Sequence, residues 1–174
     1  IYASDSDDAL TQLAALMLLL DTDAAIAGNL MDRLETQRDT SADADAALGF
    51  QMLRRGFSEK GSQRLLDLVL KHPGDPRVNR FRIGLARAFR QDGQFDLAAA
   101  QLEPIMDLKT PDGQWATLEQ ARLLRSQGDD DGAIRLLTAL EQSASSDYLR
   151  QLAHSEKQEA SFNRIVNHED SESE

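Results

Sequence analysis

Three consecutive aspartates precede a glycine at positions 129–132 of this 174-residue chain, and this stretch suggests a metal site. A calcium loop of the EF-hand type needs an aspartate at its first position and a glutamate at its twelfth. With Gly132 at the sixth position, Gln127 falls at the first and Thr138 at the twelfth, so both key ligands are missing. The same residues suit a turn in which Gly128 ends one helix and the aspartates complement the dipole of the next. We therefore predict a turn rather than a calcium site.

The other side chains that could do chemistry are scattered along the chain. Each of the three histidines stands alone, without a second ligand at metal spacing: His72, His154 and His168. The sequence contains no cysteine, no glycine-rich phosphate loop and no nucleophile elbow. Neighbouring carboxylates at residues 7–8 and 43–45 fall at predicted helix starts, where capping accounts for them. We predict that the chain is not an enzyme and has no catalytic residue, metal or cofactor.

Charge and hydropathy exclude two further classes. The chain carries 19 basic and 30 acidic residues, a net charge of −11, whereas a protein that binds duplex nucleic acid needs a basic surface. The longest apolar run, residues 13–20, is too short to cross a bilayer. The chain begins with isoleucine, and fifteen of its basic residues are arginines against four lysines. We expect a processed chain or a fragment, from a bacterial cytoplasm or periplasm.

The elements that would position any site are predicted to be helices. Alanine and leucine are abundant, and alternating stretches rich in β-branched residues are rare, which favours helix over sheet. Gly56, Gly93 and Gly128 each follow an apolar helical stretch and recur at nearly constant spacing, which is typical of a repeat architecture. The predicted helices are 6–20, 23–37, 42–55, 59–72, 77–91, 95–108, 114–126, 130–142 and 147–165.

The repeated pattern resembles the tetratricopeptide repeat (TPR), a helix–turn–helix unit of about 34 residues. The best match begins at Ala42 and contains Leu48, Gly49, Met52, Gly56, Gly61, Leu65, Leu68 and Pro73. Two further units begin at Asn79 and Gln114, and a degenerate one begins at Asp8. The resemblance implies an all-α, right-handed superhelix of about four hairpins over residues 1–165, with a C-terminal capping helix at 147–165. Residues 166–174 are acidic and lack a continuing apolar stripe, so we predict a disordered tail there.

In this family the first helices of the units line a concave groove. The resemblance places Arg87 and Arg90 of one unit beside Arg122 and Arg125 of the next, since they fall at equivalent positions of successive units. Arg80 and Trp115, the only tryptophan, would lie nearby. We expect either a site for an acidic peptide or a C-terminal carboxylate, or surface ion pairs with Asp92, Asp96, Glu119 or Asp129.

The groove positions of the first two units are apolar instead. They include Leu16 and Leu20 in the first unit and Phe50 and Leu53 in the second. Either these side chains pack in the core, or the surface is covered by a partner helix, a missing segment or a second copy through the N-terminal repeat. The ten candidate partner-binding residues are therefore Arg80, Arg87, Arg90, Trp115, Arg122, Arg125, Leu16, Leu20, Phe50 and Leu53.

The resemblance implies a non-enzymatic scaffold or adaptor that binds a protein or peptide in its groove, and bacterial envelope assembly is one setting for such a domain. The alternative is a soluble repeat domain of a larger enzyme, or of a membrane biogenesis or secretion protein, whose active part lies outside this chain. The acidic tail could occupy the arginine-lined part of the groove from within.

Overall fold

The computed structural model describes residues 42–171, with the backbone alone for residues 43, 44 and 167–171. Every regular element in this range is helical, which confirms the all-α fold class. The seven α-helices are α1 (Ala42–Arg54), α2 (Ser58–Lys71), α3 (Val78–Gln91), α4 (Phe95–Leu102), α5 (Pro111–Ser126), α6 (Asp130–Ser143) and α7 (Asp147–Ser171). The unit from Asp8, with Leu16 and Leu20, lies outside the described residues. None of the helices in the described range is both long and apolar enough to span a membrane.

Three glycine turns join the helices of the successive pairs. Gly56, Gly93 and Gly128 adopt φ values of +82°, +72° and +81°, a left-handed conformation that favours glycine. In each turn the glycine N–H donates to the carbonyl three residues back, and the next N–H donates to the carbonyl five back, as from Asp129 to Leu124 at 2.9 Å. This is the Schellman arrangement that ends a helix. The turn prediction for all three glycines is confirmed.

Two helix boundaries differ from the sequence prediction around residues 102–114. Helix α4 ends at Leu102 and a 3-10 turn, Glu103–Ile105, follows, because Pro104 lacks the N–H that would continue the α-helix. Helix α5 begins at Pro111, ahead of the predicted start at 114. The Thr110 hydroxyl accepts from the Gly113 N–H at 3.1 Å, so Thr110 is the N-cap and Pro111 occupies the first helical position.

Helix α7 continues beyond the predicted end of the capping helix. The sequence predicts an end at residue 165 and a tail from 166, but the helical backbone runs to Ser171. The extension contains no glycine or proline, so no residue type in it interrupts the helix. The bound at 165 is therefore corrected to Ser171.

The chain divides into two compact units, Ile1–Phe81 and Arg82–Glu174, and the division falls inside α3. In the described part of the first unit, α1 and α2 form a closely packed hairpin. A Cβ added to Gly61 would lie 2.9 Å from the Gly49 carbonyl oxygen, so the two backbones approach where neither residue carries a side chain. Leu48, Met52 and Leu65 fill the core of this hairpin.

In the second unit, α5, α6 and α7 share one apolar core. Its buried members are Leu118, Ala121, Ala133, Leu137, Leu140, Ala144, Leu149 and Ala153. One buried polar side chain, Gln114, links the segments around this core. Its Nε2 donates to the carbonyls of Leu108 at 2.8 Å and Ser143 at 3.0 Å, and its Oε1 accepts from the N–H and hydroxyl of Ser145. Gln114 therefore fastens the loop before α5 to the turn between α6 and α7.

Candidate functional site

The aspartate stretch forms a helix cap. Asp129 is the N-cap of α6, and its carboxylate accepts from the Gly132 N–H at 2.8 Å. Asp131 is engaged elsewhere, in an ion pair with Arg164 of α7 at 3.0 Å. Among the side chains that the structure describes, no three histidine or acidic groups meet in a cluster that could hold a metal ion. The stretch shapes the start of α6 and is no part of the candidate site.

Three arginines from α3 and α5 lie together on one surface of the second unit. Arg90 of α3 and Arg122 and Arg125 of α5 line a pocket of about 430 Å³. The pocket is completed by Ser126 of α5 and by residues of α7: Glu156, Glu159 and Asn163. We call these seven residues the arginine pocket. The repeat spacing in the sequence thus brings arginines of neighbouring helices together, as expected.

A buried carboxylate joins the two arginine-bearing helices beside this pocket. Glu119 of α5 is 1% exposed, and its Oε1 accepts from Arg87 Nη2 at 2.5 Å and from Arg122 Nη1 at 2.8 Å. Its second oxygen, Oε2, is buried without a hydrogen-bond partner in the described part of the chain. Glu119 was among the acids expected to pair with the arginines, and it pairs with two of them.

Helix α7 supplies the other carboxylates. Glu156 Oε1 accepts from Arg122 Nε at 2.8 Å and from Arg122 Nη2 at 2.5 Å, and its Oε2 accepts from Arg125 Nη1 at 2.9 Å. The exposed Glu159 accepts from Arg125 Nη2 at 3.2 Å. Burial alone would lower the pKa of Arg122, but its hydrogen bond to Glu156 and the charges of Glu119 and Glu156 raise that pKa above its usual value. Arg122 is therefore a permanent cation.

Glu156 and Glu159 of α7 are not among the candidate residues predicted from the sequence. The segment 147–165 is predicted only as a capping helix, from its apolar residues. Glu156 follows Arg122 by one repeat period, and Glu159 follows Arg125 by the same interval, so they occupy the arginine positions of the next unit. Extending the repeat period into α7 would have found them. The predicted internal ligand, the acidic tail, lies outside the described side chains. Among the described ones, Glu156 and Glu159 join Glu119 as carboxylate partners of these arginines.

Among the described side chains, Arg90 differs from its neighbours in having no carboxylate partner. Within the described range, the hydrogen bond recorded for its guanidinium is a long one, 3.4 Å from Nη1 to Ser126 Oγ. Its Nε is buried and has no hydrogen-bond partner among the residues that the structure describes, and the same holds for the Nε of Arg125. The pocket is lined by three arginines and two glutamates, so it keeps one excess positive charge and unused N–H donors.

The remaining candidates lie elsewhere. Arg80 is an exposed residue of the first unit. In the same unit Phe50 and Leu53 are half-buried: the Phe50 ring lies 6.1 Å from that of Phe81, and Leu53 packs over Gly61. Trp115 is half-buried against the core of the second unit, and its ring lies 6.3 Å from that of Tyr148. Phe50 and Leu53 therefore make packing contacts within the first unit and remain partly exposed.

Comparison with known proteins supports the fold. No family model matches the sequence, and no curated protein matches it. A solved structure is similar over 98% of this chain and 93% of its own, with a TM-score of 0.73 and 16% sequence identity. It is the Q17M crystal structure of a Podosopora anserina protein that is named for a kinesin light chain and has nearly identical TPR-like repeats. The chain therefore has a TPR-like repeat fold.

Proposed function

We propose that this chain is a protein-interaction module and that its arginine pocket receives a carboxylate of an acidic or C-terminal peptide. The TPR-like fold supports the first part, because stacked helical repeats present extended surfaces to protein partners. The observation that carries the second part is Arg90, a pocket-lining cation whose described neighbours include no carboxylate partner. Ser126 and Asn163 add neutral hydrogen-bonding groups beside it.

A peptide carboxylate suits this pocket for geometric and electrostatic reasons. A guanidinium can donate two parallel N–H bonds to one carboxylate, and such charge-assisted bonds are stronger than neutral ones. The walls of the pocket are held in place by Glu119 and Glu156, which fix Arg122 from two sides. A bound carboxylate would therefore meet N–H donors that are already held in position. Little side-chain conformational entropy would be lost on binding.

The proposed role is binding without catalysis. The titratable groups that line the pocket are arginines and ion-paired glutamates, and a nucleophile with an adjacent base is not among them. This role is the same whether the chain acts alone or as the repeat domain of a larger protein.

The experiment is a titration with an oligoglutamate peptide that ends in a free carboxylate, followed by amide chemical shifts. We expect shifts at Arg90, Ser126 and Asn163, and weaker binding as salt is added. Arg90→Glu should abolish these shifts, whereas Arg80→Glu, the same charge change at an exposed arginine outside the pocket, should leave them. Equal binding by both variants would contradict a site at Arg90, and an amidated peptide would report whether the terminal carboxylate matters.

A further inference from the structure

The outer face of α7 is free of charge over most of the described helix. Its residues recur with alternating spacings of three and four: Tyr148, Gln151, Ser155, Gln158, Phe162 and Ile165. All six are exposed, and none carries a charge in a chain that is 28% charged. Alternating spacing of three and four places residues on one side of a helix and is the spacing of a coiled-coil seam.

This face exposes large apolar side chains. Tyr148 is 66% exposed, Phe162 67% and Ile165 53%, and Val166 beside them is also exposed. These four make up half of the eight large hydrophobic residues that are exposed in the described part of the chain. The opposite side of α7, with Leu149, Ala153 and Ala160, is buried. Helix α7 therefore has one covered apolar side and one uncovered side.

The repeat period indicates what normally covers such a face. One repeat period earlier, Gln151 and Ser155 correspond to Thr117 and Ala121 of α5, which are buried. There Ala121 shares its core with Leu137 and Leu140 of α6, the helix that folds back after Gly128. Phe162 stands at the position of Gly128, and α7 continues through it to Ser171. In the described range, therefore, no returning helix covers this face.

We infer that the outer face of α7 packs against the outer face of α7 of a second copy. Copies of a chain with a net charge of −11 repel each other, and two copies can meet with least repulsion along an uncharged seam. Among the described surfaces, the one that offers a matching row of exposed apolar groups is this same face. A two-fold axis makes such a contact self-complementary.

The two helices run antiparallel in this pair. A parallel pair would bring together the acidic residues at the C-terminal end of α7, Glu169 and Asp170, whereas an antiparallel pair keeps them at opposite ends. Tyr148 of one copy then lies near Ile165 of the other, and at the centre Ser155 of one copy lies near Gln158 of the other. The seam from residue 148 to residue 166 is about 28 Å long at about 1.5 Å per residue. One helix pair buries less than a standard interface of about 800 Å² per partner, so we expect a dimer that dissociates on dilution.

Sedimentation equilibrium from micromolar to millimolar protein tests the second copy. The unmodified chain should dimerise with rising concentration, and Phe162→Glu with Ile165→Glu should stay monomeric. Leu70→Glu is the matched control, because Leu70 is 76% exposed on α2 and is not a residue of this face; it should dimerise normally. A monomeric unmodified chain, or a double variant that dimerises as well as the control, would overturn the proposal. Circular dichroism confirms that each variant is folded.

Disulfide trapping tests the orientation of the two helices. The sequence contains no cysteine, so each disulfide must form between introduced cysteines. An equimolar mixture of Ser155→Cys and Gln158→Cys chains should form the mixed disulfide in preference to either homodimer under mild oxidation. Preferential Ser155→Cys homodimers would indicate a parallel pair and contradict the antiparallel arrangement. If the cross-linked fraction does not exceed that of a Leu70→Cys chain, the interface itself is contradicted.

Discussion

Arg122 and Glu156 lie one repeat apart in the sequence and meet side by side, with Arg122 Nη2 2.5 Å from Glu156 Oε1. The contact pairs a cation of α5 with an anion at the equivalent position of α7. It holds α7 against the preceding hairpin and at the same time occupies N–H donors of the arginine pocket. The stability of the second unit and the proposed peptide binding therefore depend on the same carboxylate.

Replacing Glu156 by glutamine should weaken the docking of α7 and strengthen peptide binding. Arg122 and Arg125 would lose their shared anion, at a cost of about 1–3 kcal/mol in the free energy of unfolding, because the pair is largely shielded from water. Urea unfolding measures that cost, and the oligoglutamate titration measures the affinity. Glu159→Gln is the control, since Glu159 is 62% exposed and its ion pair should contribute less than about 1 kcal/mol. Equal effects from the two variants would contradict this account.

Gly128→Ala should destabilise the second unit by about 1–2 kcal/mol, because an alanine at φ +81° brings its Cβ close to the backbone. Gly74→Ala is the comparison, because Gly74 has no positive φ and a Cβ there would meet no atom within 4 Å. That change should be neutral or stabilising by up to about 1 kcal/mol through the unfolded chain. Thermal unfolding distinguishes the two, and a Gly128→Ala protein as stable as Gly74→Ala would refute the turn argument.

Gln114→Met keeps the shape of the side chain and removes its polar atoms. Four hydrogen bonds would be lost, and the Leu108 and Ser143 carbonyls would remain without this donor. We expect a loss of about 2–4 kcal/mol in unfolding free energy, since buried polar groups left unpaired are costly. Gln91→Met, on the exposed end of α3, should change little. A difference of less than about 0.5 kcal/mol between the variants would show that Gln114 is dispensable.

The stability of the second unit should fall in acid partly through Glu141. Hydrogen bonds from Lys157 and then His154 of α7 lower the pKa of Glu141 below its ordinary value of 4.5. A carboxyl whose pKa is lower in the folded state contributes stability above its unfolded pKa, and that contribution is lost as pH falls through the folded pKa. Urea unfolding at about pH 6 and about pH 3 should therefore show a smaller acid-induced loss in Glu141→Gln than in the unmodified chain. An equal loss in both proteins would exclude Glu141 as a contributor.

The sequence could predict the features that depend on neighbours along the chain. The glycine turns follow from a conformational preference of one residue type, and the start of α6 follows from capping by Asp129. The early start of α5 was equally readable from Thr110 and Pro111, a cap followed by the proline that favours the first helical position. The predicted start at residue 114 instead follows the repeat pattern, in which a unit begins at Gln114.

The features that depend on packing between helices could not be predicted. Glu119 looks like a surface residue on a charged helix, and only the approach of α3 to α5 buries it between two arginines. The spacing of Arg87 and Arg122 predicts that they are neighbours, but not that one carboxylate joins them.

The cap at Asp129 restricts which residue can occupy position 132 during evolution. A Cβ added to Gly132 would collide with Asp129 Oδ2, so any other residue at 132 displaces the capping carboxylate. Replacing either residue therefore removes the same interaction, at about 1 kcal/mol, and the second replacement costs little more. The two positions are epistatic: the glycine is constrained only while the aspartate is present, and a lineage that first loses the aspartate is free to replace the glycine.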